Sequence, residues 1–272
     1  MIEIDQAFST LEEWLAWASA NMTVYSAAES DEIGERILAT GFTEPLTHRF
    51  VPPEKIDAAN RNWREGLVAY GLNSRLRAVM ALIDETLQVP RSEARIFATE
   101  AVTAFALVMR GIFPRFLGSE YARDENTRRE LFPIIHQDLM ALTLPTESFD
   151  VVATNEVLEH VPDLDAALRE IARILRPGGW HIGTHPFRFM SATGELRSCV
   201  KDGKVIHLMP PEVHGNPVDP GGGSLVFETP GWDIIPRAHT AGFSNAHMRF
   251  VASEKHGYLT QNTGVFVLCA QK

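Results

Sequence analysis

Two histidines are placed where they could accept a proton during a reaction. Imidazole suits general acid–base chemistry because its unperturbed pKa lies close to neutrality. His160 belongs to a Glu159-His160 pair, and His185 directly follows the apolar run 180–184. A residue just after a strand reaches the sheet edge at which α/β folds bind ligands. We therefore predict His185 and His160 as catalytic candidates, with a structural role as the alternative for the Glu159-His160 pair.

Two further histidines lie in a long stretch without regular periodicity. His207 and His214 flank the sequence Met-Pro-Pro-Glu, which ends at Glu212, within a segment at about 186–231 that is rich in Gly and Pro. Such a long segment in a compact domain is more often functional than idle, so we predict that both histidines bind substrate. Together with Glu212 they also offer ligand types that metals accept. Their seven-residue spacing on a loop is a weak pattern, however, and we predict no metal.

The elements that position these residues alternate between short apolar runs and helical stripes. Residues 101–110 predict one helix, and Asp163 can cap another. Continuous apolar runs are typical of strands that are covered on both faces. The alternation predicts a parallel sheet in a doubly wound α/β fold, with ligands bound at the carboxyl ends of the strands. The five predicted strands are 95–99, 115–118, 134–135, 149–154 and 180–184.

The pattern divides the chain into two parts. Residues 1–90 predict a helical extension, with a capping box that begins at Ser9 and a second helix over 73–87. Residues 91–272 predict the α/β domain, which contains the insertion at about 186–231 and ends with strands at 247–252 and 265–270. A helix near 232–241 is shortened by its proline. Because the second helix leads directly into the first strand, we predict that the extension acts as a lid.

A succession of short motifs begins near the third strand. The motifs are His-Gln-Asp-Leu at 136–139, Leu-Pro-Thr-Glu-Ser-Phe-Asp-Val-Val at 144–152, Asn-Glu-Val-Leu-Glu-His-Val-Pro at 155–162 and Leu-Arg-Pro-Gly-Gly at 175–179. This succession resembles the class I S-adenosylmethionine-dependent methyltransferases of the type 11 group. The resemblance implies a Rossmann-like, mostly parallel seven-stranded sheet with S-adenosylmethionine as the cofactor. It also implies a biosynthetic enzyme that methylates an oxygen or nitrogen of a small molecule or saccharide.

The resemblance also implies which residues hold the cofactor. Glu120, after the second strand, matches the acid that accepts hydrogen bonds from the ribose hydroxyls. Asp138 and Leu139 match the adenine-contacting position, and Asn155 would reach the methionine part of the cofactor. The alternatives are that Glu120 is an ordinary surface acid and that Asp138 only turns the chain.

The first loop departs from the family pattern. The family places a glycine-rich turn after the first strand, because glycine lets the backbone approach the cofactor closely. Glu100, Val102 and Ala104 occupy the expected glycine positions, and Thr103 could supply a hydroxyl group instead. A slip of one or two residues would place Glu100 at the acidic position. The alternative function is therefore a descendant of the fold that has lost the cofactor or the methylation and acts as a binding or scaffold protein.

Arg75 is a further candidate for the cofactor, since arginine holds a carboxylate well through paired hydrogen bonds. A solvated helix face is the alternative for this residue. Arg75 belongs to the second predicted helix of the extension, before the first strand of the α/β domain.

Composition narrows the class of protein. The net charge of −10 argues against nonspecific binding of nucleic acid, which needs Lys and Arg. The two cysteines form no metal or disulfide pattern, and the acidic first residues lack the features of a signal peptide. No long apolar stretch predicts a membrane span. We expect a cytoplasmic protein with a small-molecule or saccharide substrate; a homodimer is compatible with the sequence but not indicated by it.

Overall fold

The structure is a computed structural model, and it describes residues 1–21, 26–58, 61–261 and 263–272. The chain forms two compact units, Met1–Thr86 with His247–Leu268 and Leu87–Ala246 with Cys269–Lys272. The sequence pattern places residues 247–268 with the α/β domain, whereas in the structure they cluster with the N-terminal residues. None of the described helices has the length and apolar character needed to cross a membrane.

The first unit begins with a strand that the sequence pattern does not reveal. Its elements up to residue 86 are β1 (Glu3–Phe8), α1 (Leu11–Ala20), α2 (Ala27–Thr40), β2 (Phe42–Thr43), β3 (Phe50–Val51) and α3 (Ser74–Thr86). Only Phe8 of β1 is buried, so no apolar alternation marks this strand. The capping box of α1 is shifted by one residue: Thr10, not Ser9, accepts from the amide of Glu13 at 3.1 Å. Glu13 in turn accepts from the amide of Ser9 at 2.6 Å.

The second unit contains the predicted alternation of strands and helices. Its first elements are β4 (Arg95–Ala98), α4 (Ala104–Ile112), β5 (Arg115–Glu120), α5 (Glu125–Glu130), β6 (Ile135–His136), β7 (Phe149–Asn155), α6 (Leu164–Ile174) and β8 (Leu175–Thr184). The predicted cap of α6 is confirmed, because Asp163 accepts from the amide of Ala166 at 2.9 Å. The apolar stripe of α6 is buried, so the helix packs through one face.

The predicted insertion consists of short antiparallel strand pairs. Its strands are β9 (Glu195–Leu196), β10 (Ser198–Lys201), β11 (Lys204–His207), β12 (Val213–His214), β13 (Ser224–Leu225) and β14 (Glu228–Thr229). The pairs are β9 with β14, β10 with β11 and β12 with β13. Helix α7 (Ile234–Ala241) follows, and Pro236 is tolerated because the first helical turn leaves its N–H groups unpaired. The last strands are β15 (Asn245–Ser253) and β16 (Val265–Gln271).

The main sheet has the strand order β1-β15-β16-β8-β7-β4-β5-β6. Strands β4, β5, β6, β7 and β8 are paired in parallel, which confirms the doubly wound, mostly parallel α/β fold. Over the described residues the sheet has eight strands instead of the predicted seven, because β1 pairs antiparallel with β15. Parallel strands align their carboxyl ends, so the residues after β4, β5 and β7 share one edge of the second unit.

Candidate active site

A cavity of about 480 Å³ lies in the second unit, at the carboxyl ends of β4, β5 and β7. This volume is within the range of about 300–1,000 Å³ that is usual for small-molecule sites. Two groups of residues line it. The sheet side carries the polar residues Thr99, Glu100, Thr103, Glu120, Asp138 and Asn155. The insertion side is mostly apolar and carries Val200, Val205, Asn216, Val218, Ser224, Leu225 and Phe227.

Glu120 fixes the glycine-free first loop. It is the last residue of β5 and only 8 % exposed. Its Oε1 accepts hydrogen bonds from the backbone amides of Ala101 at 2.7 Å and Val102 at 3.1 Å. Burial raises the pKa of Glu120, while the two amide donors act in the opposite direction. A carboxylate has several acceptor positions, so Glu120 keeps capacity for a ligand hydroxyl while it holds the loop.

The loop approaches β5 closely because Gly118 has no side chain. A Cβ atom at Gly118 would lie 2.5 Å from the carbonyl oxygen of Glu100 and 3.0 Å from Cα of Ala101. Both separations are shorter than normal packing permits. The glycine that makes room for this loop is therefore on the neighbouring strand and not in the loop itself.

Glu100 links the first loop to the end of β7. Asn155 Nδ2 donates to Glu100 Oε1 at 2.6 Å, and Thr103 Oγ1 donates to Glu100 Oε2. Thr103 also caps α4 by accepting from the amide of Ala106 at 3.2 Å. The structure thus brings three predicted cofactor residues into one hydrogen-bonded group. Glu100 follows β4 and not β5, so Glu120 is the acid at the end of the second parallel strand.

The sheet side also presents polar atoms that lack partners. Among the described residues, Thr99 Oγ1 and Asn155 Oδ1 are buried and make no hydrogen bond. Unpaired polar atoms in the wall of a cavity are costly unless a ligand or water satisfies them. Asp138 is half-buried; its Oδ1 accepts from the amide of Met140 at 2.9 Å, so it turns the chain as well as lining the cavity. Leu139 is buried beside it in the same wall.

These residues fit S-adenosylmethionine. The ribose hydroxyls and the adenine amine of that cofactor are hydrogen-bond donors, and the sheet side offers the acceptors Glu120, Asp138 and Asn155 Oδ1. Thr99 adds a hydroxyl group, which can donate or accept. The replacement of the usual glycines has therefore not removed the polar wall that such a cofactor requires.

His160 is the predicted catalytic histidine that lines the cavity. It ends the short 3₁₀ turn Leu158–His160 after β7. Its Nδ1 lies 2.9 Å from the carbonyl oxygen of Leu225. Since a carbonyl oxygen only accepts, Nδ1 carries the hydrogen, and Nε2 of the neutral ring is an acceptor. The imidazole therefore presents a lone pair from a ring that the insertion holds in place.

His214 approaches His160 from β12. The two ring centroids are 5.1 Å apart with the planes nearly perpendicular. Glu159, and then Glu212, raise the pKa of His214 to about 9, because both carboxylates favour the imidazolium form. His214, in turn, lowers the pKa of Glu212 through the hydrogen bond between them, which is 3.0 Å long.

Three other predicted site residues are not among those that line the described cavity. His185 is buried and packs edge-on against Phe187 with ring centroids 6.0 Å apart, and it does not line the described cavity. His207 is exposed and shares a hydrogen bond of 3.0 Å with Ser198 Oγ. Arg75 belongs to the first unit, where its Nε pairs with Glu65 at 2.9 Å. Their proposed roles in catalysis, substrate binding and cofactor binding remain predictions.

A buried histidine supports the sheet beneath the site. His181, on β8, is completely buried and its Nε2 lies 2.9 Å from Thr154 Oγ1. Burial lowers the pKa of His181 to about 3, so the ring is neutral at physiological pH. Thr154 directly precedes Asn155, so the neutral histidine helps to position a residue of the sheet side.

Several lining residues were not predicted from the sequence. On the sheet side these include Thr99 and Tyr121, and on the insertion side they include Val205, Asn216 and Phe227. The length and Gly/Pro content of the insertion indicated that the segment was functional. They did not indicate which residues face the cavity, because strands of two to four residues give no readable alternation.

Comparison with known proteins agrees with this architecture. Residues 104–183 match the family model described as "Methyltransferase domain". The chain is 38 % identical over 61 residues to a sterol 24-C-methyltransferase of Aspergillus fumigatus, covering 22 % of this chain and 16 % of that protein. It is 37 % identical over 60 residues to a demethylmenaquinone methyltransferase of Staphylococcus aureus, covering 22 % and 25 %. The chain thus matches a quarter or less of the length of these curated relatives.

Solved structures are similar over a longer part of the chain. An S-adenosylmethionine-dependent methyltransferase from Mesorhizobium loti has 17 % sequence identity and a TM-score of 0.44, covering 72 % of this chain and 96 % of that one. A 1,6-didemethyltoxoflavin-N1-methyltransferase from Burkholderia thailandensis, solved with S-adenosylhomocysteine, has 15 % identity and a TM-score of 0.43, covering 72 % and 77 %. Residues 104–183 thus match a methyltransferase-domain family, in agreement with the motif order of the sequence.

Proposed function

We propose that this protein is an enzyme that transfers a methyl group from S-adenosylmethionine to an oxygen or nitrogen of a small molecule or saccharide. The observation that carries the proposal is the sheet side of the cavity. Glu120 there fixes the first loop by accepting hydrogen bonds from two backbone amides. Thr99 and Asn155 each leave a buried polar atom without a partner, which a ligand would satisfy. A site that had lost its ligand would have no need of such unpaired atoms.

The sheet side would hold the cofactor. Glu120 would accept from the ribose, Asp138 and Leu139 would contact the adenine, and Asn155 with Thr99 would contact the remainder. S-adenosylmethionine supplies an electrophilic methyl group when it is bound. The enzyme must then align the acceptor with that methyl group. A rigid sheet side would help because it reduces the motion of the bound cofactor.

The insertion side would hold the acceptor. Val200, Val205 and Phe227 give it an apolar surface, which suits a substrate that has an apolar face near the reacting atom. His160 lies in the same cavity and could take a proton from a hydroxyl or amine through Nε2. The name of the sterol relative assigns its methyl group to a carbon, so the acceptor atom here must be read from the product.

Other parts of the proposal concern the whole molecule. We propose that the N-terminal residues act as a lid and that the protein works in the cytoplasm in a biosynthetic reaction. His185 as a second base, His207 and His214 as substrate contacts, Arg75 as a cofactor contact and a homodimer are further proposals. Each can be tested by substitution or by measurement of mass in solution.

The test is a transfer assay with methyl-labelled S-adenosylmethionine and fractionated small-molecule extracts. The proposal expects label in a low-molecular-mass product, inhibition by S-adenosylhomocysteine, and a mass increase of one methyl group. Binding of the cofactor without any labelled product would favour the alternative, a non-methylating descendant of the fold. The heat-treated protein is the control for spontaneous transfer.

A further inference from the structure

Glu159 is a buried carboxylate with no conventional hydrogen-bond partner. It is 0 % exposed, and among the described residues neither of its side-chain oxygens accepts a hydrogen bond. Instead, Oε1 lies 3.5 Å from His160 Nε2 and 3.7 Å from His214 Nδ1. A buried charge is expected to be paired closely or to bind a metal, so these intermediate separations require an explanation.

One nitrogen of each histidine faces this carboxylate, while the other nitrogen is held by a hydrogen bond. His160 Nδ1 donates to the carbonyl oxygen of Leu225 at 2.9 Å, which leaves Nε2 of the neutral ring as an acceptor. His214 Nε2 donates to Glu212 Oε1 at 3.0 Å, and its Nδ1 faces Glu159, where a metal ion would displace the proton of the imidazolium. A histidine that binds a metal nearly always donates its other N–H to a carbonyl or carboxylate in this way.

The separations match a shared ion. The ligand atoms of Glu159, His160 and His214 all lie within 4.8 Å of one another. Metal–ligand distances of about 2.0–2.1 Å at tetrahedral angles place two ligands about 3.3 Å apart. The values of 3.5 and 3.7 Å at Glu159 Oε1 are close to that figure and longer than a good hydrogen bond.

Contacts of the surrounding chain hold the three residues in position. The amide of Phe227 donates to the carbonyl oxygen of Glu159 at 2.7 Å, and His214 pairs with Ser224 between β12 and β13. Glu212 is also fixed, because Arg197 Nε lies 3.2 Å from its Oε2. The cluster is therefore built from two parts of the chain that several contacts join.

From this geometry we propose that Glu159, His160 and His214 bind a divalent transition-metal ion of the Zn²⁺, Fe²⁺ or Mn²⁺ class. Two imidazoles and one carboxylate suit these ions and leave open coordination positions. Glu212 and the carbonyl of Leu225 orient the two histidines. Since His160 also lines the cavity, the ion would lie at its edge.

One consequence depends on the proposed function. If the cavity holds a methyl acceptor, the ion would position an oxygen or nitrogen of that acceptor, and His160 would act through the ion instead of as a base. The same lone pair on Nε2 cannot serve both purposes. Metal binding itself requires no cofactor and no acceptor, so it can fail or succeed independently of methyl transfer.

The test is calorimetric titration of ZnCl₂ into the full chain after removal of metals with a chelator. We expect one ion per chain with a micromolar or tighter dissociation constant. Glu159→Gln and His214→Ala should each weaken binding at least about 100-fold. Glu212→Gln, which alters the group that orients His214, should weaken it about 10- to 100-fold. His239→Ala is the matched control, because His239 is an exposed histidine of the same unit.

Visible absorption of Co²⁺ in the same site provides a second readout. Nitrogen and oxygen ligands should give a d–d spectrum that Glu159→Gln alters and His239→Ala does not. Circular dichroism checks that each variant folds. If the variant at the buried Glu159 does not fold, the variant at the half-exposed His214 still tests the proposal. The absence of stoichiometric Zn²⁺ binding, or equal binding by wild type and His214→Ala, would overturn the proposal.

Discussion

The sheet side and the insertion side of the cavity are built in different ways. On the sheet side, carboxylates and amides are bonded to one another, as Glu120 is to the first loop and Glu100 is to Asn155. On the insertion side, apolar residues stand on short strand pairs, and Val200 and Val205 are each 47 % exposed. The difference suggests two roles. The sheet side would be a fixed wall that binds the cofactor, and the insertion side would be an adaptable wall that binds the acceptor.

The largest expected effect tests the fixed wall. Glu120→Ala removes the acceptor of two hydrogen bonds from backbone amides. Hydrogen bonds to charged groups contribute about 1.5–3 kcal/mol each. We expect affinity for S-adenosylhomocysteine to fall at least about 100-fold, as measured by calorimetry. Glu130→Ala, an exposed acid at the end of α5, is the control and should bind like wild type. Unchanged binding of S-adenosylhomocysteine by Glu120→Ala would contradict the assignment of the sheet side to the cofactor.

A second substitution reaches the same wall through packing alone. Gly118→Ala would place a Cβ 2.5 Å from the carbonyl oxygen of Glu100, so the loop must shift. We expect a loss of about 1–3 kcal/mol in unfolding free energy, as is typical of overpacking. Cofactor affinity should fall with it. The matched control is Gly111→Ala in α4, where a Cβ meets no atom within 4 Å, and which should be neutral or stabilising. Equal effects of the two substitutions would show that the loop tolerates movement.

Acid should weaken the fixed wall through His181. Its folded pKa of about 3 lies below the unfolded value of 6.5, so below pH 6.5 only the unfolded chain takes up the proton. Stability is therefore lost as the pH falls from 6.5, by at most about 1.4 kcal/mol per pH unit. Denaturant unfolding of His181→Gln should show a shallower decline between pH 7 and 5.5 than wild type does. His239→Gln should follow wild type, and identical slopes for all three proteins would exclude this role of His181.

The smallest expected effect on cofactor binding comes from the adaptable wall. Val205→Ser removes about 1 kcal/mol of apolar contact for a substrate that covers this half-exposed side chain. We expect a roughly fivefold higher KM for the acceptor and a cofactor dissociation constant within about twofold of wild type. Val213→Ser is the control, because Val213 is exposed and does not line the cavity. A large loss of cofactor affinity in Val205→Ser would break the distinction between the two sides.

The two sides also differ in how far the sequence predicts them. Apolar runs and the motif order located β4, β5, β7 and β8, and they placed Glu120, Asp138 and Asn155 at one edge. The path of the first loop was not predictable, because the space for it comes from Gly118 on a neighbouring strand. Only the pairing of β4 with β5 brings those residues together.

The insertion side depends on contacts between residues far apart in sequence. His160 and His214 come together because Leu225 and Phe227 bond to the turn that carries Glu159 and His160. Neither the seven-residue spacing of His207 and His214 nor the content of glycine indicates that arrangement. Strand β1 escaped prediction for a related reason, since a mostly exposed edge strand carries little apolar signal.

The most direct measurement is calorimetric titration of S-adenosylmethionine, and then of S-adenosylhomocysteine, into the wild-type chain. The sheet-side arrangement predicts one site per chain with a micromolar dissociation constant for each compound. Absence of binding to both, in a folded protein, would contradict it and would mean that the glycine-free loop marks a methyltransferase fold that has lost its cofactor.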